Sequence, residues 1–145
     1  MKIKVQDLPS LPLLLSLVLF PAITAAQQGA PGGEWPDYGG DLGSTKFAPL
    51  SQIDEINVEN VSVAWMWHSP DDELVAENPR LRPGTFKATP LMVDGVLYIQ
   101  TSLSLLAAID AASGEQLWAF DPLSHEAGRP VNLGFNARGV AHWKE

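Results

Sequence analysis

The sequence has no cysteine among its 145 residues. Disulfide bonds are therefore excluded. A lipoprotein-type anchor is excluded as well, because such an anchor needs a cysteine at the cleavage point of an exported chain.

Basic residues are also scarce. Lys and Arg total 9 against 17 Asp and Glu, which gives a net charge of −8. Removal of a leader over residues 1–26 would leave seven basic and sixteen acidic residues, a net charge of −9. An acidic surface repels phosphate backbones, so we predict no nucleic-acid partner.

Recognisable site motifs are missing too. The sequence has no Gly-x-Ser-x-Gly nucleophile elbow and no glycine loop that cradles phosphate. His68, His125 and His142 share no metal-ligand spacing. The acidic run at 71–73 lacks the alternate ligands and central glycine of a calcium loop. We therefore interpret residues 69–84 as a long polar connection.

What the chain does contain begins with an apolar N-terminal segment. Lys2 and Lys4 precede a short leucine-rich core, and small residues stand at 24–26. This layout predicts a cleavable signal peptide over residues 1–26 and a periplasmic product, either soluble or membrane-associated. The alternative is a membrane anchor over residues 8–26, a span just long enough for a bilayer but interrupted by three prolines.

The next two segments differ in pattern. Residues 27–60 are predicted to be a lead-in and an ordered loop, in which Trp35 and Tyr38 pack on a larger body. Residues 61–67 place two valines and two tryptophans on one face with a period of two, which predicts a strand.

Residues 88–120 carry the clearest structural signal. Asp94-Gly95 separates two apolar runs and predicts a hairpin with a type I′ turn. Residues 105–110 and 115–120 predict a third and a fourth strand. The segment is therefore one four-stranded antiparallel unit.

The turn between the last two of these strands has a chemistry of its own. Asp110 is placed to accept hydrogen bonds from turn amides, and Gly114 to take the left-handed conformation. Trp118 then projects its apolar surface from the outer strand toward a neighbouring sheet.

The pattern of the fourth strand occurs twice. Residues 64–67 and 117–120 both read apolar, Trp, apolar, aromatic, and residues 139–143 predict the first strand of a further unit. Repetition of four-stranded units is typical of an all-β fold, the β-propeller. We interpret residues 61–145 as a partial propeller with a closing strand, one complete blade and the start of the next. A single blade exposes both faces, so we expect the front of a longer protein that neither folds stably nor catalyses alone.

Two basic residues stand at equivalent strand starts. Lys87 precedes residues 88–91, and Arg138 precedes residues 139–143. If the blades repeat radially, both face the central axis, where two cations favour an anionic ligand. A guanidinium group suits a carboxylate. The alternative for Arg138 is a structural ion pair with a carboxylate of the blade.

The order of these landmarks resembles a known family. The motif Ala108-x-Asp110 … Gly114-x-x-x-Trp118 is similar to the tryptophan-docking repeat of pyrroloquinoline quinone (PQQ) dehydrogenases. Residues 35–41, 86–91 and 138–143 are similar to further landmarks of that family. The resemblance covers residues 34–143.

The resemblance implies an eight-bladed propeller that holds PQQ and calcium near its axis. Such an enzyme oxidises a sugar or an alcohol and passes electrons to a quinone or a cytochrome. The resemblance places Arg138 at the cofactor, and Lys87 where some members have a cofactor-contacting glutamate. The catalytic aspartate and the calcium ligands of the family come later than Glu145, so no catalytic or metal residue is assigned in this chain.

Two further expectations follow from the resemblance. Residues 132–137 lack the adjacent cysteines of the alcohol-oxidising branch, which favours the glucose- or sugar-dehydrogenase-like branch. The alternative function is a non-enzymatic propeller scaffold for outer-membrane protein assembly, which shares the docking repeat. That scaffold begins at a lipidated cysteine and lacks the Arg138 landmark, so we predict a PQQ-dependent dehydrogenase.

Overall fold

The structure, a computed structural model, describes residues 29–131 and 134–144. The predicted signal peptide, residues 1–26, lies outside the described residues. The elements in chain order are two 3₁₀ helices, Pro31–Gly33 and Val58–Asn60, then α1 Asp71–Glu77, β1 Thr85–Thr89, β2 Leu91–Val93, β3 Val96–Gln100, β4 Leu106–Asp110, β5 Gln116–Phe120 and β6 Asn136–Gly139. None of the helices within these described ranges is long and apolar enough to cross a membrane.

Strands β2 to β5 form one antiparallel sheet in chain order, which confirms the predicted four-stranded unit. The φ angles of Asp94 and Gly95 are 50° and 79°. Both are positive, as a type I′ turn requires, so the predicted hairpin is confirmed. The third and fourth strands begin one residue later than expected, at Leu106 and Gln116.

The turn between β4 and β5 has the predicted chemistry. Asp110 Oδ1 accepts hydrogen bonds from the backbone N–H groups of Ala112 (3.1 Å) and Ser113 (2.7 Å) and from the Ser113 hydroxyl (2.8 Å). Gly114 lies in the left-handed region with a φ of 75°. The hydrogen bonds from Ser113, and then from Ala112, hold the pKa of Asp110 below its ordinary value because they favour the ionised carboxylate.

A separate two-stranded parallel sheet joins β1 to β6. Thr85 pairs with Asn136 and Phe86 with Ala137. Gly84 permits this approach, because a Cβ at that position would overlap the carbonyl oxygen of Phe135.

The position of β6 corrects the expected strand over residues 139–143. The strand ends at Gly139, and residues 140–144 lie outside any strand. The physical reason is the φ of +111° at Gly139, which turns the chain out of extended geometry.

The expected strand over residues 61–67 is also corrected. The segment carries no strand assignment, because within the part of the chain that the structure describes it makes no backbone ladder with a neighbour. Of the four side chains expected on one face, Trp65 and Trp67 are half-buried, whereas Val61 and Val63 are exposed. The segment is fixed by its two tryptophans rather than by ladder hydrogen bonds.

The polar connection over residues 69–84 contains a helix that the sequence did not suggest. Helix α1 turns Leu74 and Val75 toward a buried apolar cluster of Leu81, Leu103, Leu105 and Phe135. This cluster lies between α1, the β3–β4 connection and the residue before β6. The sequence contained little sign of this helix, because three acidic residues begin it and only Leu74 and Val75 in it are large and apolar.

The loop before the sheet is ordered by backbone contacts with β2. Trp35 N–H donates to the Met92 carbonyl (2.8 Å), and Met92 N–H donates to the Trp35 carbonyl (3.0 Å). The Trp35 side chain is half-buried, whereas Tyr38 is 65% exposed. Among the described residues, Trp35 is therefore packed and Tyr38 is not, and packing of Tyr38 on a larger body stays a prediction.

Candidate functional site

The parallel strand pair brings the two predicted basic residues onto neighbouring strands. Lys87 lies in β1 between Phe86 and Thr89, and Arg138 lies in β6 between their partners, Ala137 and Gly139. Both basic side chains are exposed. Within residues 29–131 and 134–144, no carboxylate lies within ion-pair distance of either. The pair therefore presents two cations on adjacent strands without a neutralising partner in the described structure.

The backbone that carries Arg138 is held by a glutamine that sequence reasoning missed. Gln100 Oε1 accepts hydrogen bonds from the N–H groups of Arg138 and Gly139, each at 3.1 Å. Gln100 is the last residue of β3, so its side chain links the four-stranded sheet to the two-stranded one. A lone glutamine at a strand end gives no sequence signal for such a contact, because its partners lie 38 and 39 positions away.

Asp71 supports the connection that follows Gln100. Its carboxylate is 4% exposed and accepts hydrogen bonds from the Thr101 hydroxyl (2.6 Å) and from the Leu103 N–H (2.9 Å). The Thr101 Oγ1 in turn accepts the Leu105 N–H at 3.0 Å. A buried carboxylate needs such donors to offset its lost hydration. Asp71 thereby ties α1 to the chain between β3 and β4.

Trp65 shows how a neighbouring segment docks on the blade. Its Nε1 donates to the Ala111 carbonyl at 3.1 Å. Its ring lies on Gly114, where a Cβ would stand 2.5 Å from the nearest ring carbon. Only glycine therefore fits beneath this ring. The contact assigns Trp65 to the scaffold.

Trp118 lies in β5, the outer strand of the same sheet. It is 43% exposed, and its ring centroid stands 6.1 Å from that of Tyr98 with the planes tilted by 50°. Residues 140–143 line one side of a pocket of about 320 Å³ beside it. The Trp118 side chain thus projects from the outer strand and forms part of an apolar surface. The described residues cover this surface only in part.

Candidate metal ligands are few. No group of three His, Asp or Glu side chains in the described part of the chain is arranged to hold a metal ion. His125 instead contacts the Asp121 carboxylate at 2.8 Å. Burial raises the pKa of Asp121. The hydrogen bonds from His125 and Leu123 together lower it by more than burial raises it, so the pKa of Asp121 lies below its ordinary value.

An orphaned polar atom lies beside the basic pair. Asn136 Oδ1 is buried and has no hydrogen-bond partner among the residues described. Buried polar atoms in folded proteins are nearly always paired. Asn136 Oδ1 can pair only with a donor, so it adds nothing to an anionic site by itself, and the cations of Lys87 in β1 and Arg138 in β6 carry the case for an anionic ligand.

Comparison with known proteins places these features in a family. Residues 35–145 match the model for the β-propeller domain of PQQ-dependent glucose, ethanol and alcohol dehydrogenases. Quinohemoprotein alcohol dehydrogenase ADH IIB of Pseudomonas putida is 38% identical over 123 residues, which cover 84% of this chain and 16% of that protein. Quinoprotein glucose dehydrogenase of Escherichia coli is 38% identical over 91 residues, covering 61% of this chain and 11% of that protein.

A crystal structure of quinohemoprotein alcohol dehydrogenase from Comamonas testosteroni aligns with 61% of this chain and 12% of its own, at 31% identity and a TM-score of 0.49. The chain spans about a sixth or less of the length of these relatives. The family match covers more than half of the chain and agrees with the antiparallel blade and its docked tryptophan. The chain therefore belongs to the PQQ-dependent dehydrogenases and forms part of their β-propeller domain.

Proposed function

We propose that the protein containing this chain is a PQQ-dependent dehydrogenase that oxidises the CH–OH group of a sugar or an alcohol. The observation that carries the proposal is the juxtaposition of Lys87 and Arg138 on paired strands, with both cationic ends exposed and without a carboxylate partner in the described residues. Relatives named as alcohol and as glucose dehydrogenases support the reaction class.

The residues present fit PQQ. The cofactor carries carboxylates and quinone oxygens, which are all acceptors of hydrogen bonds. The guanidinium of Arg138 offers a planar fork of N–H donors for such a group, and Lys87 adds a point charge beside it. Neither cation forms an ion pair with a described residue, so neither would have to break such a pair in order to bind the cofactor.

In this proposal the chain binds and orients, and the cofactor supplies the chemistry. PQQ, when bound, accepts two electrons from the CH–OH carbon of the substrate. Arg138 holds an oxygen of the cofactor through charged N–H donors, and Lys87 adds positive potential that favours negative charge at the same place. The Trp65 contact holds the turn between β4 and β5 of the blade.

Calcium, the electron acceptor and the location are proposed only for the complete protein. The described residues hold no group of metal ligands, so a calcium site would be built by other residues. A quinone or a cytochrome would take the electrons. The leader-like residues 1–26 support export to the periplasm, which cell fractionation with and without that segment would test.

One departure in the sequence supports a preference between the two substrate classes. Residues 132–137 contain no cysteine, which favours a sugar over a simple alcohol by the family resemblance. A panel of glucose, other aldoses and primary alcohols, with PQQ, Ca²⁺ and a dye acceptor, distinguishes the two classes. Absence of turnover with every member of the panel would contradict the proposed activity.

Arg138→Ala tests the binding role directly in the complete protein. A hydrogen bond that involves a charged group is worth about 1.5–3 kcal/mol, so we expect the dissociation constant of PQQ to rise about 10- to 100-fold. Titration of the protein with PQQ gives the value. Arg82→Ala is the matched control, because Arg82 is also an exposed arginine but lies outside the strand pair. An equal loss in both variants would contradict a specific role for Arg138.

A further inference from the structure

The side chain of Gln100 makes an uncommon contact with the strand that carries Arg138. One oxygen, Oε1, accepts two successive backbone N–H groups, those of Arg138 and Gly139, at 3.1 Å each. Successive N–H groups of a regular strand do not converge on one point. The φ and ψ of Arg138 relate these two N–H groups, so their convergence on Oε1 shows that the chain departs from regular strand geometry at Arg138. The next residue, Gly139, has a φ of +111°. Gln100 therefore stabilises a local bend at the residue proposed to bind the cofactor.

The ladder between β1 and β6 does not fix this bend by itself. Its register is irregular between Phe86 and Thr89, directly across from Arg138. The Gln100 contact supplies the missing restraint at the point where the regular pairing is interrupted.

Gln100 stands on a rigid support. It pairs with Leu106 at the end of the β3–β4 ladder. The next residue, Thr101, is 2% exposed and donates its hydroxyl to the buried Asp71 carboxylate. The position of Gln100 is therefore set by the blade rather than by β6.

We propose that Gln100 is a positioning residue for cofactor binding, which holds the Arg138–Gly139 backbone so that the guanidinium projects beside Lys87. The inference rests on the proposed function. Gln100 itself need not touch the cofactor, because its oxygen is occupied by the two N–H groups. The competing interpretation is that Gln100 merely joins the two sheets and affects the whole blade.

A double-mutant cycle in the complete protein separates these interpretations. Gln100→Met removes the acceptor at similar length, and we expect the dissociation constant of PQQ to rise about tenfold in that variant. Gln100→Glu keeps acceptor oxygens but adds a negative charge, so it is compared by hydrogen exchange and not by the binding of anionic PQQ. In an Arg138→Ala background, Gln100→Met should change the constant by less than about twofold, because the residue acts through Arg138. Gln116→Met is the control, since Gln116 also uses Oε1 as an acceptor, but for Trp67.

A second readout needs no cofactor. Amide hydrogen exchange should accelerate at Arg138 and Gly139 in Gln100→Met, while the amides of β4 keep their protection. Loss of protection in β4 would overturn the positioning role. So would an equal effect of Gln100→Met on PQQ binding with and without Arg138, or exchange at Arg138 and Gly139 that is as fast in Gln100→Glu as in Gln100→Met. If the unsubstituted protein binds no PQQ, the proposed function fails and the inference fails with it. If it binds PQQ and Gln100→Met binds equally well, the inference alone is overturned.

Discussion

The four-stranded sheet and the two-stranded pair are stabilised over different distances along the chain. In the sheet, each strand pairs with its neighbour in sequence, and Asp110 closes its own turn through residues two and three positions away. In the pair, Thr85 meets Asn136, and the bend is held by Gln100 from another sheet. Local chemistry builds the scaffold, whereas the proposed cofactor end depends on a few long-range contacts. Substitutions in the two regions should therefore differ in what they damage.

Gly114→Ala should have the largest effect and should damage the scaffold. A side chain at a φ of 75° costs about 1–2 kcal/mol, and its Cβ would stand 2.5 Å from the Trp65 ring. Overpacking of this kind adds about 1–3 kcal/mol. We expect the opening free energy of β4, measured by amide hydrogen exchange in the complete protein, to fall by about 2–5 kcal/mol.

Gly95→Ala is the matched control for that substitution. Gly95 has a similar φ of 79°, but nothing lies within 4 Å of a Cβ built there. Only the backbone cost of about 1–2 kcal/mol should appear. Equal losses at the two glycines would show that Trp65 does not press on Gly114, and would remove the docking contact from the scaffold.

Asp71→Ala should have an intermediate effect at the junction of the two regions. It leaves the Thr101 hydroxyl and the Leu103 N–H without their buried acceptor, which costs about 2–3 kcal/mol. Hydrogen exchange in the β3–β4 connection should accelerate by the corresponding factor, and PQQ binding should weaken because Gln100 loses its support. Asp72→Ala is the control, because Asp72 is the exposed neighbour in the same helix. If hydrogen exchange and PQQ binding change equally little in both variants, α1 does not support the proposed cofactor site.

The four-stranded sheet could be predicted better than the two-stranded pair, because its contacts are local in the sequence. Asp94-Gly95 and the run from Asp110 to Gly114 specify their turns by short-range chemistry, so the sheet could be predicted nearly to the residue. Lys87 and Arg138 were predicted to stand at strand starts, which is wrong, because each is the third residue of its strand, β1 or β6. The two strands are paired. Their role as cofactor ligands stays a prediction.

Other features could not be predicted because their signals are weak or distant. Helix α1 has a single short apolar face behind three acidic residues. The Gln100 contact joins residues 38 positions apart through one side chain. The strand expected at 139–143 was displaced because a glycine with positive φ ends it, and sequence alone does not show which glycines take that conformation.

Asp110→Asn should have the smallest effect, and its pH dependence sharpens the contrast further. The folded-state pKa of Asp110 lies below the ordinary value of 3.8, because Ser113 and then Ala112 donate to the ionised carboxylate. A lowered pKa means that the unfolded chain binds the proton more readily. The resulting stability is present above pH 3.8 and is lost as the pH falls through the lower folded-state pKa.

We therefore expect the difference in β4 opening free energy between the unsubstituted protein and Asp110→Asn to be constant near neutral pH and to shrink below about pH 4. The binding of PQQ should not follow this titration, because Asp110 acts only within its own turn. A difference that stays constant down to pH 2 would show that the turn is held by shape and not by the charge of Asp110.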